Sequence, residues 1–354
     1  MPWNTTRLSQ LLNIEYPIIQ APMAGASTPA MALAATRAGG LGSLGTALQG
    51  VDAARRDIAQ MVDAGAGPFN ANFFVHQNPI EPFDMGPEAQ AVITRWYQNL
   101  DAGPEIKPHI AKPSFDDQTC DMLVELRPHV VSFHFGLPES HLVERLKAAG
   151  IIILSSATSV KEAQWLEQRG ADAIIAQGAE AGGHSGWFIE RGIAEVAGTM
   201  ALVPRMVDAV DVPIIAAGGI ADGRGIAAAM MLGASGVQIG TAFLPCSECA
   251  SPDVHKQSIL TASGDDTVYS KGFSGRRART IVNQFARDMA DVDDMAAFPL
   301  MNPVTGPLRA VSANQGRGDA VSLWAGQGVG LVTETRSVTK VFEDLITQAD
   351  DLLA

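Results

Sequence analysis

Cysteine is scarce in this 354-residue chain, and three residues cannot build a disulfide framework. Cations are also in deficit, with 25 Lys and Arg against 38 Asp and Glu, for a formal net charge of −13. No Lys/Arg cluster offers the phosphate-neutralising face that nucleic-acid binding requires, and an acidic surface is repelled by anionic lipids. No apolar run approaches the roughly 18 residues needed to span a bilayer. The N-terminal MPWNTTRLSQLLNIEYP lacks a basic stretch followed by an apolar core, so no secretory signal is expected. The expectation is a cytoplasmic protein with neither nucleic-acid nor membrane partners. Metal, nucleophile and nucleotide signatures are missing as well: there is no H-E-x-x-H, no G-x-S-x-G, no P-loop, and no G-x-G-x-x-G directly after a first strand.

What is present is a globular, loop-rich composition. Apolar residues make up 47% of the chain and charged residues 18%, which excludes intrinsic disorder; the 35 Gly and 20 Pro show no collagen period. Short apolar runs alternate with longer helical patterns eight times. The strand candidates are Pro17–Met23, Leu41–Ala47, Phe69–Val75, Val130–Gly136, Ile151–Ala157, Ala173–Gly178, Pro213–Ile220 and Gly236–Phe243. Most are continuous apolar runs, as strands covered on both faces should be. Helical patterns include Pro29–Ala38, Ala53–Ala64, Leu142–Ala149, Val160–Gln168 and Gly223–Leu232. Eight β–α units over this length predict a (β/α)8 TIM barrel, with a doubly wound open sheet as the alternative.

Two stretches break the rhythm. Residues 76–115 form a Pro-rich insertion with a short helix around Ala89–Leu100. Residues 263–325 follow the eighth unit and are too long for a structureless loop, which predicts a small lid. The expected organisation is a barrel of residues 1–262 and 326–354, closed by a helix over Ser337–Leu353, with a lid at 263–325.

Function in a barrel sits at the C-terminal strand ends. Gly218-Gly219, ahead of a helix opening at Ala221-Asp222-Gly223-Arg224-Gly225, and Gly240-Thr241 one unit later form two consecutive small-residue turns. Glycines let backbone N–H groups approach a ligand, and a helix N-terminus favours an anion, so these turns predict a phosphate site. Arg224 is either a helper there or a solvated surface residue. His184 lies in a Gly-rich loop after strand 6, where an imidazole either meets a ligand or bonds neighbouring backbone. His134, between Phe133 and Phe135, either lines the pocket or is a satisfied interior residue. His76, His109, His129, His141 and His255 carry no signal and default to the surface. Cys246-Ser247-Glu248-Cys249 lacks a second ligand pair for zinc and reads as structural or incidental.

Taken together, Ala21-Pro22-Met23, Ala38-Gly39-Gly40-Leu41-Gly42, Asn70–Asn72, Glu180-Ala181-Gly182-Gly183-His184-Ser185-Gly186, Gly218–Gly225 and Gln238-Ile239-Gly240-Thr241 resemble the nitronate monooxygenase family. The match runs through nearly the whole barrel in order, and Tyr269–Arg276 resembles the family's barrel-following segment. The resemblance implies an FMN-dependent barrel that oxidises alkyl nitronates with O2 to a carbonyl compound and nitrite. It places Pro22, Met23 and Ala24 beside the isoalloxazine, Asn72 and Gln177 at its polar edge, and Gly182 and Gly183 over the ring. Gly218, Gly219, Gly240 and Thr241 would hold the phosphate, with Gln238 also a cofactor residue. His184 would be catalytic, and His134 and Lys271 would face the substrate. Some relatives, which reduce quinones or enoyl thioesters with NAD(P)H, carry a Lys where this chain has Ser155-Ser156-Ala157-Thr158; its absence leans toward the nitronate-oxidising branch and leaves an FMN-dependent reductase as the alternative.

Overall fold

The computed structural model describes residues 2–80, 84–111, 114–190 and 195–353. Its strands are β1 (Ile18–Gln20), β2 (Gly42–Gly45), β3 (Phe69–Phe74), β4 (Val130–His134), β5 (Ile152–Ala157), β6 (Ala173–Gln177), β7 (Gly183–His184), β8 (Ile214–Ala217), β9 (Gly236–Ile239), β10 (Thr267–Ser270) and β11 (Ala278–Ile281). Eight of them form one parallel sheet in the order β1-β9-β8-β6-β5-β4-β3-β2. The two ends meet through a parallel bridge between Ile19 and Leu41, with Leu41 N–H on Ile18 O and Gln20 N–H on Leu41 O, both at 3.0 Å. The predicted TIM barrel is therefore what forms, and the open sheet is not. The strands are shorter than the apolar runs suggested, because the run ends beyond the ladder turn outward as loops.

Local chemistry sets the helix starts. Thr28 caps Pro29–Arg37, Ser159 caps Val160–Gln168, and Asp222 caps Gly223–Met231 by accepting from the N–H groups of Arg224 and Gly225. The closing helix runs Val338–Leu353.

Three apolar clusters follow from this topology. The largest lies between the strands and the surrounding helices. A second fills the barrel, from Leu8 and Leu12 of the N-terminal helix at one end to Ile175 and Ala217, which border a cavity, at the other. The third is separate. It joins Ile93, Trp96 and Tyr97 of the helix Pro87–Leu100 to Phe273, Phe285, Met289, Met301 and Leu308. That helix begins two residues before its predicted start and is capped from a distance, with Asp294 accepting from the N–H groups of Glu88 and Ala89 (3.0 and 2.8 Å). Trp96 Nε1 donates to Asp288 and Tyr97 Oη to the Val304 carbonyl. The insertion and the segment after the eighth unit thus share one core over the barrel's top.

A three-stranded antiparallel sheet, β10-β11-β7, ties this cap to the barrel. His184 registers with Ala278, and Gly183 with Arg279. The loop that carries His184 is therefore a strand of the cap's sheet.

Candidate active site

A cavity of about 570 Å³ opens at the C-terminal strand ends, beneath the cap. Its size falls within the roughly 300–1,000 Å³ of small-molecule and cofactor sites. Pro22, Met23, Ala24, Asn72, Gln177, Gly182, Gly183, Gly218, Gly219, Gln238, Gly240, Thr241, His134 and His184 all line it. Lys271 does not; its ammonium points to Asp293 at 3.8 Å and is half exposed. Arg224 is exposed and held by Asp222, the cap residue of its own helix.

At one end, the N–H groups of Gly218, Gly219, Gly240 and Thr241 donate to no other described residue. Gly218 and Gly219 sit at φ +118° and +75°, conformations that L side chains rarely adopt, so the turn that exposes these donors depends on glycine. Gln238 Oε1 is buried on the wall without a partner. Unpaired N–H groups suit a phosphate, and an unpaired acceptor suits the imide N–H of a flavin, so the donor set fits FMN. Met23 is held in a turn by Ser27, whose N–H reaches the Met23 carbonyl (2.8 Å) and whose hydroxyl accepts from the Met23 N–H (2.9 Å).

The segment Trp324-Ala325-Gly326-Gln327 straps the cap onto these turns. Gly326 N–H donates to Thr241 Oγ1 (3.0 Å) and Gln327 N–H to the Glu180 carbonyl (2.9 Å). A Cβ on Gly182 would stand 2.6 Å from the Ala325 carbonyl carbon, so the strap's approach needs glycine there.

The His184 loop is fixed from three sides. Its carbonyl accepts from Gln177 Nε2 (2.9 Å) and His134 Nε2 (3.1 Å), while Gln177 Oε1 accepts from Gly186 N–H (2.7 Å). Both ends of the Gln177 amide thus hold the loop. Asn72 likewise directs its amide N–H groups to Ser132. The buried Glu162 anchors the loop's far side, accepting from Thr158 and from the N–H groups of Phe188 and Ile189. Arg276 closes it from above, donating to the Ser185 and Trp187 carbonyls with its guanidinium over the rings of Phe135 and Trp187.

These contacts define the protonation states. A carbonyl only accepts, so His134 carries its proton on Nε2, and Nδ1 faces the Ser156 hydroxyl at 2.6 Å. Burial, the largest effect, holds His134 at about 4 and His184 at about 3; for His184 the neighbouring His134, Arg276 and Arg309 push the same way. His184 is therefore a neutral imidazole near pH 7. Its Nε2 meets Ser274 Oγ at 2.8 Å, and Nδ1 has no partner among the described residues. The Ser274 hydroxyl has a second acceptor, the Arg276 carbonyl at 3.3 Å. When Ser274 donates to Nε2, His184 presents an Nδ1–H donor; when Ser274 donates to Arg276, Nδ1 presents a lone pair.

Two histidines depart from the surface reading. His255 is buried on the cavity wall, donates from Nε2 to the Trp324 carbonyl (3.1 Å), and is held by burial at about 4. His76 lies edge-on to Phe298 with both ring nitrogens buried and unpaired, and burial lowers it to about 4. Both are covered by cap residues distant in sequence, so no local pattern marks them. Arg309, Asn302 and Trp324 of the cavity wall were missed for the same reason. Cys246 and Cys249 are buried, with the Cys246 thiol pushed to about 12, mainly by burial. Among the described residues no cluster of His, Cys, Asp or Glu could hold a metal ion, and no helix is long and apolar enough to cross a membrane.

The family model described as nitronate monooxygenase matches residues 5–348. A probable nitronate monooxygenase of Staphylococcus saprophyticus is 37% identical over 352 residues, covering 99% of both chains, and one from Staphylococcus aureus is 36% identical over 365 residues, again at 99% of each. Among solved structures, a nitroalkane oxidase from Streptomyces ansochromogenes superposes with a TM-score of 0.87 at 33% identity over 98% of each chain. FabK from Thermotoga maritima does so at 0.74 and 31%, over 98% of this chain and 96% of that one.

Proposed function

This chain belongs to the nitronate monooxygenase family, and from that premise we infer that it uses FMN to oxidise alkyl nitronates with O2, yielding a carbonyl compound and nitrite. The observation that carries this reading is a neutral His184 whose Nδ1 has no partner among the described residues, in the same cavity as four N–H groups that are likewise unpaired there and suited to phosphate. FMN, when bound, would supply electron exchange with the nitronate carbon and with O2. Gly218, Gly219, Gly240 and Thr241 would hold its phosphate, Gln238 would meet its polar edge, and Pro22, Met23, Ala24, Gly182 and Gly183 would enclose it. His134 belongs to the substrate side only as the residue that fixes the His184 carbonyl.

His184 has two uses in this scheme. As an Nδ1–H donor it orients a nitronate oxygen; its Nδ1 lone pair takes the α-proton of a neutral nitroalkane only where the nitronate anion formed beside it offsets the burial that holds the imidazole at about 3. Ser274 selects between the two tautomers. The cap excludes water through its strap to Thr241 and Glu180.

The likeness to FabK favours one second reading, an FMN-dependent reductase taking hydride from NAD(P)H for a quinone or an enoyl thioester. The test is direct. The purified protein should be yellow and release FMN on denaturation, turn over propyl nitronate with nitrite formed, and stay oxidised with NADH under anaerobic conditions. A colourless protein that refuses added FMN would overturn the proposal. Bleaching by NADH without nitronate turnover would install the reductase.

A further inference from the structure

We propose that Arg309 is the charge-selecting residue of the cavity, holding the anionic oxygens of the substrate while neutral His184 handles protons and hydrogen bonds. The inference deepens the nitronate reading and rests on it for the identity of the substrate, though not for the presence of an anion site.

Among the described residues, Arg309 is the only Lys or Arg on the cavity wall. It is half-buried on that wall, and burial alone lowers it from the usual value to about 10, with no carboxylate contributing. No described acid forms an ion pair with it. The one carboxylate among the described wall residues, Glu180, is taken by the N–H and hydroxyl of Thr199 at 2.9–3.0 Å. A buried cation without a counter-charge is unfavourable, and a ligand that brings the charge offsets the penalty.

The guanidinium is also pre-positioned. It folds back along its own helix, Met301–Asn314, donating from Nη2 to the Asn302 carbonyl (2.8 Å) and from Nε to the Thr305 carbonyl (3.4 Å). The guanidinium lies beside Gly306, where a Cβ would stand in ordinary contact at 3.9 Å from Nη2. Asn302 and Gly306 both line the cavity, so the guanidinium rests on the wall with N–H groups to spare. Arg276, the other deeply placed cation near His184, donates to the Ser185 and Trp187 carbonyls and lies outside the cavity lining. A planar guanidinium matches a pair of oxygens, the geometry a nitronate group offers.

The probe is nitrate, an unreactive planar anion, titrated into FMN-loaded protein and followed by the flavin difference spectrum. Wild type should bind it competitively with propyl nitronate. Arg309→Gln should weaken nitrate binding and raise the nitronate KM by about 10–100-fold, the range for losing a hydrogen bond to a charged group, while FMN content and the KM for neutral nitroalkane stay unchanged. Arg309→Lys, which keeps the charge, should retain nitrate binding to within about tenfold, and it decides the matter should Arg309→Gln fail to fold. Equal nitrate affinity in wild type and Arg309→Gln, no nitrate binding by wild type, loss of FMN from Arg309→Gln, or a folded Arg309→Lys that binds no nitrate would each overturn the proposal. Nitrate binding that depends on Arg309 in a protein without nitronate turnover would sustain the anion site while removing the nitronate reading.

Discussion

Mild acid should destabilise this protein far more than its carboxylates would suggest. His255 is buried, His134 and His184 are partly buried on the cavity wall, and the three are held at about 4, about 4 and about 3, against the usual 6.5. Below pH 6.5 the unfolded chain binds a proton at each of these positions and the folded chain refuses it. Stability attributable to these groups is therefore fully present above that value and is lost as pH falls towards 3–4. One unit is worth about 1.4 kcal/mol, so at about pH 5 each histidine costs about 2 kcal/mol, and the three together about 6 kcal/mol. That is comparable with the roughly 5–15 kcal/mol by which whole domains are stable. His76, also held at about 4 but less deeply buried, adds a smaller amount in the same direction. Guanidinium unfolding followed by circular dichroism at neutral pH and at about pH 5 measures the difference. His255→Gln, which can keep a donor on the Trp324 carbonyl, should reduce the pH dependence by about a third. A stability that changes by less than about 1 kcal/mol over this range would refute the assignment of neutral buried imidazoles.

Three further expectations follow from the site. Ser274→Ala removes the partner of His184 Nε2 and should lower kcat about tenfold with little change in KM, as loss of an orienting contact does; an unaltered kcat would dismiss the tautomer role. Gly182→Ala forces a Cβ to 2.6 Å from the Ala325 backbone, and should cost about 1–3 kcal/mol by thermal denaturation while weakening FMN retention. Gln177→Leu leaves the Gly186 N–H without its acceptor and takes one of two donors from the His184 carbonyl, which should cost about 1–3 kcal/mol of stability and reduce nitronate turnover. Retention of full turnover by that variant would show that the loop is held elsewhere.

The repeat and the paired glycine turns at its end were legible from local pattern, whereas the need for glycine at position 182 arises only from the approach of Ala325. Continuous apolar runs such as Ile151–Leu154 and Ile214–Ala217 suit doubly covered strands, and eight of them alternating with helices leave a barrel or a doubly wound open sheet. Gly218-Gly219 and Gly240-Thr241 were legible as a pair because each is a local turn, one β–α unit from the next. Tertiary structure alone decided what faces these turns. Closure of the barrel depends on one bridge between Ile19 and Leu41, which periodicity cannot display. The cap core joins Ile93 and Trp96 to Phe273 and Met301, about 180 or more residues away, so neither segment shows its partner. Lys271, expected to face the substrate from the family resemblance, points to Asp293, while Arg309 carried no local mark and came to rest on the cavity wall. Charge and hydrogen-bonding character are written residue by residue, but burial, and with it the neutral state of His184, exists only once distant segments have packed around the ring.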